Sequence, residues 1–94
     1  MKKIAAAIIT FNEEKNIERC IKGLIDCVDE IVVLDSFSSD QTKEICQRYE
    51  VRFIQKEWEG YAKTKNKLND LIDAEYIFSI DADEVPDVAL RQNI

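Results

Sequence analysis

Short apolar segments alternate regularly with segments of helical period along the chain, and few folds can accommodate this pattern. The apolar segments are rich in the β-branched and aromatic residues that favour strands, and they cover residues 4–9, 31–34, 51–54 and 76–80. Between them, apolar residues recur at helical spacing and predict helices over about 13–26, 41–49 and 61–73. These connections are long enough for helical crossovers, so the strands should run parallel. The order β-α-β-α-β-α-β therefore predicts an α/β domain with a three-layer, doubly wound, mostly parallel sheet.

The length of the chain limits it to one small unit. Ninety-four residues can bury a single modest core, so we expect residues 1–94 to form one domain. The longest apolar run, residues 4–9, is far too short to cross a bilayer. We interpret the chain as a cytoplasmic protein without a transmembrane segment.

Charge and the missing residue types exclude several classes of function. The formal net charge is −6, and an acidic chain lacks the electrostatic attraction that dominates nucleic-acid binding. The chain has no histidine, which excludes serine–histidine and cysteine–histidine nucleophiles. Its cysteines follow no C-x-x-C pattern, so we expect reduced, mostly buried thiols rather than a zinc site.

A group of carboxylates follows the last apolar segment, which we predict to be a buried strand. Asp81, Asp83 and Glu84 lie within four positions. Aspartates one residue apart can turn their oxygens toward one point just past a strand, and a hard divalent cation would relieve their repulsion. The alternative is an acidic surface turn, aided by Pro86.

Polar residues also follow two other predicted strands. Residues 10–12 come after the first strand, and Asp35 comes after the second. Ligands of doubly wound sheets bind at the carboxyl ends of the strands, where the strand order reverses. These residues should therefore share a crevice with Asp81 and Asp83, although strands commonly end in Asp or Asn without a ligand. We also predict that Asn12 caps the helix that follows it.

The crevice offers specific chemistry for a phosphate-bearing ligand. The chain has two glycines and no glycine-rich phosphate loop, so a metal on Asp83 would have to hold the phosphates. Asp35 could accept the N–H of a base, which would favour uracil over cytosine, whose N3 carries no proton. Lys63 or Lys65 could reach a phosphate or the base, although for either lysine taken singly a solvated helix face is the favoured interpretation.

Three ordered motifs together resemble family 2 glycosyltransferases of the GT-A fold. They are Ile-Ile-Thr-Phe-Asn-Glu at residues 8–13, Val-Val-Leu-Asp-Ser-Phe-Ser-Ser-Asp-Gln-Thr at 32–42, and Phe-Ser-Ile-Asp-Ala-Asp-Glu at 78–84. The resemblance covers nearly the whole chain and implies a Rossmann-like half-domain. The Asp-Ser-Phe-Ser-Ser-Asp version is similar to bacterial enzymes that add glucose-type sugars to the lipopolysaccharide core.

This resemblance implies transfer of a sugar from a UDP-sugar donor with inversion, using Mn²⁺ or Mg²⁺. The acceptor would be a saccharide or a lipid-linked molecule in cell-surface polysaccharide or lipopolysaccharide synthesis. By position, Asp83 corresponds to the metal ligand of the DXD motif. The implied nucleotide-binding residues are Thr10, Phe11, Glu13, Asp35, Lys65 and Asp81. Two positions depart from the family pattern: Ile9 replaces a common proline, and Ser36 replaces a common second aspartate.

The same resemblance implies that part of the enzyme is missing. The catalytic base, an Asp or Glu, and the acceptor-binding part are expected downstream of the DXD motif. We therefore expect a donor-binding portion, truncated before the acceptor-binding part and inactive alone. Such a portion could associate peripherally with the inner face of the membrane, or pair its exposed sheet edge with another copy.

Two alternatives remain at this stage. Residues 81–85 also match the D-x-D-x-V motif of haloacid-dehalogenase-like phosphatases, but in that family the motif follows the first strand of the core. A fragment that binds nucleotide and metal without turnover is the other alternative.

Overall fold

The computed structural model describes residues 3–82, and its elements alternate as the sequence predicts. Four strands and three helices follow one another in this part of the chain: β1 Ile4–Thr10, α1 Ile17–Leu24, β2 Glu30–Asp35, α2 Thr42–Gln47, β3 Arg52–Gln55, α3 Tyr61–Asp70 and β4 Tyr76–Asp81.

All three helices are shorter than predicted. The helix α1 begins four residues late because the Glu13 carbonyl accepts hydrogen bonds from the amides of Asn16 and Ile17 in a turn that precedes the helix. The helices contain eight, six and ten residues. Crossing a bilayer takes about 20 apolar residues, and no helix within residues 3–82 meets that requirement.

The four strands form one parallel sheet in the order β3-β2-β1-β4. The chain builds the sheet outward from β1 through β2 to β3, and then returns to add β4 on the other side of β1. The strand order therefore reverses between β1 and β4, as in a doubly wound sheet. This topology confirms the predicted fold class and places the expected crevice beside the carboxyl ends of β1 and β4.

Apolar clusters cover both faces of the sheet. On one face, Ala6 of β1 packs with Ile21 of α1 and Cys46 of α2. On the other face, Ala7 packs with Leu68 of α3. Because consecutive residues of β1 contribute to opposite clusters, the uniformly apolar first segment is a strand covered on both sides. The result is three layers, with α1 and α2 below the sheet and α3 above it.

The last strand is less buried than its sequence suggests. Tyr76 is 52% exposed, Ile77 is also exposed, and Ile80 is the strand's buried apolar residue. The prediction of a buried strand is wrong because β4 forms an edge of the sheet in the described part of the chain. Aromatic and β-branched residues favour extended structure whether or not a second layer covers them.

The cysteines pack as reduced thiols, as predicted. Cys20 and Cys46 are fully buried between the sheet and the helices α1 and α2, whereas Cys27 is half-buried. Burial, reinforced by the nearby negative charge of Asp35, raises the pKa of the Cys46 thiol to about 12. This thiol therefore behaves as a small apolar side chain.

Ile21 and Ile25 provide a matched test of the core on α1. Ile21 is fully buried and Ile25 lies exposed one turn later. We expect Ile21→Ala to lower the free energy of unfolding by about 3 kcal/mol, because it removes buried methyl groups and leaves a cavity. Ile25→Ala should lower the free energy of unfolding by less than about 1 kcal/mol. Urea titrations of the wild type and both variants would measure these changes. Equal losses would contradict the described packing of α1.

Candidate functional site

Residues predicted from three different segments share one edge of the sheet. Thr10 ends β1, Asp35 ends β2 and Asp81 ends β4. The parallel register pairs Thr10 with Asp35 and Ile9 with Asp81, so these carboxyl ends lie side by side. The topology therefore brings the predicted residues together, as expected from the reversal of strand order.

The carboxylate of Asp35 is fully buried and is already saturated with hydrogen bonds. Its Oδ1 accepts from the Thr10 hydroxyl at 2.6 Å and from the Ser38 hydroxyl. Its Oδ2 accepts from the Ser38 amide at 2.8 Å and from the Gln55 side chain at 3.2 Å. A carboxylate offers about four lone-pair sites, and all are used here. These hydrogen bonds give Asp35 an organising role in the structure, and its expected contact with a base stays a prediction.

Asp35 organises two loops that flank the site, which we call the first loop (residues 11–16) and the second loop (residues 36–41). The Ser38 hydroxyl, which donates to Asp35, also accepts the Asn12 amide at 2.7 Å. Further hydrogen bonds join the first loop to the second loop and to the start of α2: Ser39 N to Asn12 Oδ1, Glu13 N to Thr42 Oγ1, Glu14 N to Asp40 Oδ2, and Gln41 N to Glu14 Oε2. The two loops are therefore fixed to each other by side chains rather than by sheet pairing.

Asn12 does not cap α1 as predicted. Its φ of 53° lies in the left-handed region, which asparagine tolerates better than most residues. Its side-chain oxygen accepts the Ser39 amide at 2.8 Å. Asn12 thus serves the contact between the loops, and the helix begins only at Ile17.

Two adjoining cavities open at this edge and share the side chains of Phe11 and Trp58. One, of about 380 Å³, is lined by Phe11, Trp58 and Ser36. The other has a volume of about 320 Å³. Its lining includes four predicted site residues, Thr10, Phe11, Glu13 and Asp81, together with Trp58 and Tyr61. Both volumes fall in the range of about 300–1,000 Å³ that is common for small-molecule sites.

Trp58 and Tyr61 are site residues that the sequence analysis missed. Gly60 lies between them with a φ of 94°, a conformation that favours glycine. A tryptophan two residues before a glycine, in the loop predicted to follow a strand, is a sequence signal that could have identified them.

Lys65 borders the same region from α3. It lines a smaller cavity, of about 120 Å³, together with Tyr61 and Asp81. Its Nζ lies 5.9 Å from the centre of the Tyr61 ring, within the range of a cation–π contact. The predicted Lys65 is therefore near the crevice, whereas Lys63 is on the exposed face of α3.

The predicted metal ligand, Asp83, lies outside the described residues, as does Glu84. Among residues 3–82, no three potential ligands are grouped closely enough to hold a metal ion. Glu13 and Asp81 nevertheless line one cavity, and carboxylate oxygens are the ligands that Mg²⁺ and Mn²⁺ prefer. The described part of the site is thus chemically compatible with such an ion.

Asp40 illustrates the electrostatics of the contact between the loops. Burial alone would raise its pKa, but hydrogen bonds from the side chain and amide of Thr42 and from the Glu14 amide hold it below the ordinary value of 3.8. The ionised form of Asp40 is therefore favoured in the folded protein.

Comparisons with known proteins identify relatives of the chain. The sequence model of the family "Glycosyl transferase family 2" matches residues 6–90. An uncharacterized glycosyltransferase of Rickettsia felis is 39% identical over 94 residues, which are 100% of this chain and 33% of that protein. The lipopolysaccharide core biosynthesis glycosyltransferase LpsC of Rhizobium meliloti is 39% identical over 94 residues, covering 95% of this chain and 34% of LpsC.

A solved structure shares the fold. Glucosyl-3-phosphoglycerate synthase from Mycobacterium tuberculosis, in complex with Mn²⁺, UDP and phosphoglyceric acid, superposes with a TM-score of 0.77 at 25% identity. The superposition covers 89% of this chain and 34% of that one. The chain therefore spans about a third of the length of each of these three proteins.

Removing the charge of Asp35 tests its organising role. In Asp35→Asn, the amide nitrogen would face groups that now donate hydrogen bonds to a carboxylate oxygen. We expect the free energy of unfolding, measured in urea, to fall by about 2 kcal/mol. Asp26→Asn, at an exposed position after α1, should change it by less than about 0.5 kcal/mol. A neutral result for Asp35→Asn would contradict the organising role.

Asp40 should make the free energy of unfolding depend on pH. Because its folded pKa is depressed, it stabilises the protein above the ordinary value of 3.8, and this contribution is lost as pH falls through the lower, folded value. We expect the free energy of unfolding of Asp40→Asn to change less between about pH 6 and about pH 3 than that of the wild type. Urea titrations at several pH values would measure the free energy of unfolding of both proteins. An equal loss in the variant and the wild type over this pH range would contradict the prediction.

Proposed function

The chain belongs to glycosyltransferase family 2, and from that premise we propose that it is the donor-binding part of an enzyme that transfers a sugar from a UDP-sugar. The family, and the likeness to an enzyme of lipopolysaccharide core synthesis, were both expected from the motifs and are confirmed by the matches. The observation that carries the proposal is the cavity that Thr10, Phe11, Glu13 and Asp81 line together at the reversal of strand order.

The proposed reaction is an inverting displacement at the anomeric carbon of the donor sugar. An acceptor hydroxyl oxygen forms a bond to this carbon from the face opposite the diphosphate. The bond between the carbon and the diphosphate oxygen breaks, and the diphosphate leaves with the electron pair. A carboxylate base takes the acceptor proton, and we assign no residue of this chain to that role. The 94 residues alone are therefore proposed to bind the donor without turnover.

We propose that Mn²⁺ or Mg²⁺ assists donor binding. Asp81 and Glu13 border the cavity with carboxylates, and the chain carries a net charge of −6, so a bare diphosphate would be repelled. A divalent ion on Asp83 would offset that repulsion and neutralise charge on the leaving diphosphate. The related synthase, solved with Mn²⁺ and UDP, supports this proposal. Lys65 would add a positive group on the α3 side.

The proposed acceptor is a saccharide or a lipid-linked molecule of cell-surface polysaccharide or lipopolysaccharide synthesis. The similarity to LpsC, named for lipopolysaccharide core biosynthesis, supports this acceptor class. Such acceptors are assembled next to a membrane, so we propose that the enzyme works in the cytoplasm at the inner membrane face. The phosphatase alternative loses support because Asp81 ends β4 rather than the first strand, and because the family match is to transferases.

Metal-dependent binding of UDP tests the proposed function. Calorimetric titration of the 94-residue chain with UDP should give binding in Mn²⁺ that weakens at least about tenfold when a chelator removes the metal, about 1.4 kcal/mol. Asp83→Ala should cause a similar loss in Mn²⁺, because it removes the proposed ligand.

Asp73→Ala is the control for that titration. It removes an exposed carboxylate just after α3, at the amino end of the sheet, and should leave UDP affinity unchanged. The proposal fails if UDP does not bind under any metal condition, or if the chain hydrolyses a phosphate ester instead.

A further inference from the structure

We propose that Thr42 is a positioning residue of the donor site, which holds Glu13 at the cavity through a buried hydrogen bond without touching the donor itself. Thr42 is the first residue of α2 and is fully buried. This inference rests on the proposed function and deepens it, because it names a residue outside the cavity that controls donor affinity.

The hydroxyl of Thr42 connects the second loop to the first loop. It donates to Asp40 Oδ1 at 2.5 Å and accepts the Glu13 amide at 2.9 Å. A hydroxyl has one proton, so its donation to Asp40 leaves a lone pair to accept the Glu13 amide. Thr42 is itself held in place, because Ile45 and Cys46 of the same helix pack in the core. Asp40 and the core together therefore fix where the Glu13 amide can lie.

Glu13 is held at three points of its structure. Its amide donates to Thr42, and its carbonyl accepts the amides of Asn16 at 3.0 Å and Ile17 at 2.8 Å. Its Oε2 atom accepts the side-chain amide of Asn16 at 3.2 Å. Glu13 is half-buried and lines the cavity of about 320 Å³. All these partners belong to the chain, so they can hold the Glu13 carboxylate at the cavity whether or not a donor is bound.

Burial distinguishes the Thr42 contact from the other contacts between the loops. The hydrogen bonds that Asn12 and Glu14 make with the second loop are exposed, so water can replace a lost partner there. Without the hydroxyl of the buried Thr42, the Glu13 amide would face an apolar side chain and stay unpaired. The first loop would then populate other conformations, and the apparent donor affinity would fall with the fraction of molecules that remains competent to bind.

Calorimetric titration of the 94-residue chain with UDP in Mn²⁺ tests this role. Thr42→Val removes the hydroxyl with little change in volume and should weaken UDP binding about tenfold. Thr42→Ser keeps a hydroxyl and should stay within about threefold of the wild-type affinity. Thr64→Val is the matched control, because Thr64 is also buried in a helix but its hydroxyl has no partner within residues 3–82. Its UDP affinity should equal that of the wild type.

A double-mutant cycle shows whether Thr42 acts through Glu13. Glu13→Ala alone should weaken UDP binding in Mn²⁺ about tenfold. Adding Thr42→Val to Glu13→Ala should weaken it by less than about twofold more, because the effects of two residues that act together are not additive. Each titration is run at a temperature at which circular dichroism shows the variant to be folded. A purely structural Thr42 would lower the melting temperature and leave the UDP affinity of the folded variant unchanged.

Hydrogen exchange at the Glu13 amide tests the same contact in the wild type, and so does not require Thr42→Val to fold. Because Thr42 accepts this amide independently of the donor, NMR should show slow exchange both with and without UDP. Exchange that is rapid without UDP would mean that the donor, rather than Thr42, places Glu13.

Three outcomes would overturn the inference while leaving the proposed function intact. The first is wild-type UDP affinity in Thr42→Val or in Glu13→Ala. The second is the same loss from Thr42→Val with and without Glu13→Ala, and the third is rapid exchange of the Glu13 amide without UDP. If the wild type does not bind UDP in Mn²⁺, the proposed function itself fails, and the inference fails with it.

Discussion

The buried carboxylate of Asp35 is the contact on which the geometry of this site depends. It ends β2, accepts the hydroxyl of Thr10 at the end of β1, and takes two hydrogen bonds from Ser38. Through the Ser38 hydroxyl it also fixes the amide of Asn12, so one charge ties two strand ends to both flanking loops. A buried charge is costly unless it is fully paired, and here the pairing itself shapes the crevice.

The fold was predictable because its signal is local and repeated. Short strand-like segments separated by helical segments predict a parallel sheet with helical crossovers, and the structure has both. The burial of β4 was not predictable, because aromatic residues such as Tyr76 favour a strand on an edge as well as in a core. The start of α1 was also predicted too early, since Asn12 bonds to the second loop instead of capping α1, whereas α3 begins at Tyr61 as predicted.

The position of the site was predictable from the strand topology, whereas the contacts of several of its residues were not. Residues at strand ends, such as Thr10 and Asp81, meet because topology brings strand ends together. The hydrogen bonds of Asp35 could not be deduced in this way, because a sequence motif does not show which groups donate to a carboxylate. Trp58 escaped notice because it lies in a loop, where neither period nor strand position marks it. Contacts between distant loops decide such roles, and sequence patterns carry little information about them.

The charge of Asp35 has a further consequence for the core beneath it. Burial, reinforced by this charge, raises the pKa of the Cys46 thiol to about 12 and keeps the thiol protonated. Peroxides and other oxidants react with thiolates rather than thiols, and burial also denies them access. The residue that orders the crevice thus also helps to keep a neighbouring buried sulfur in its less reactive thiol form.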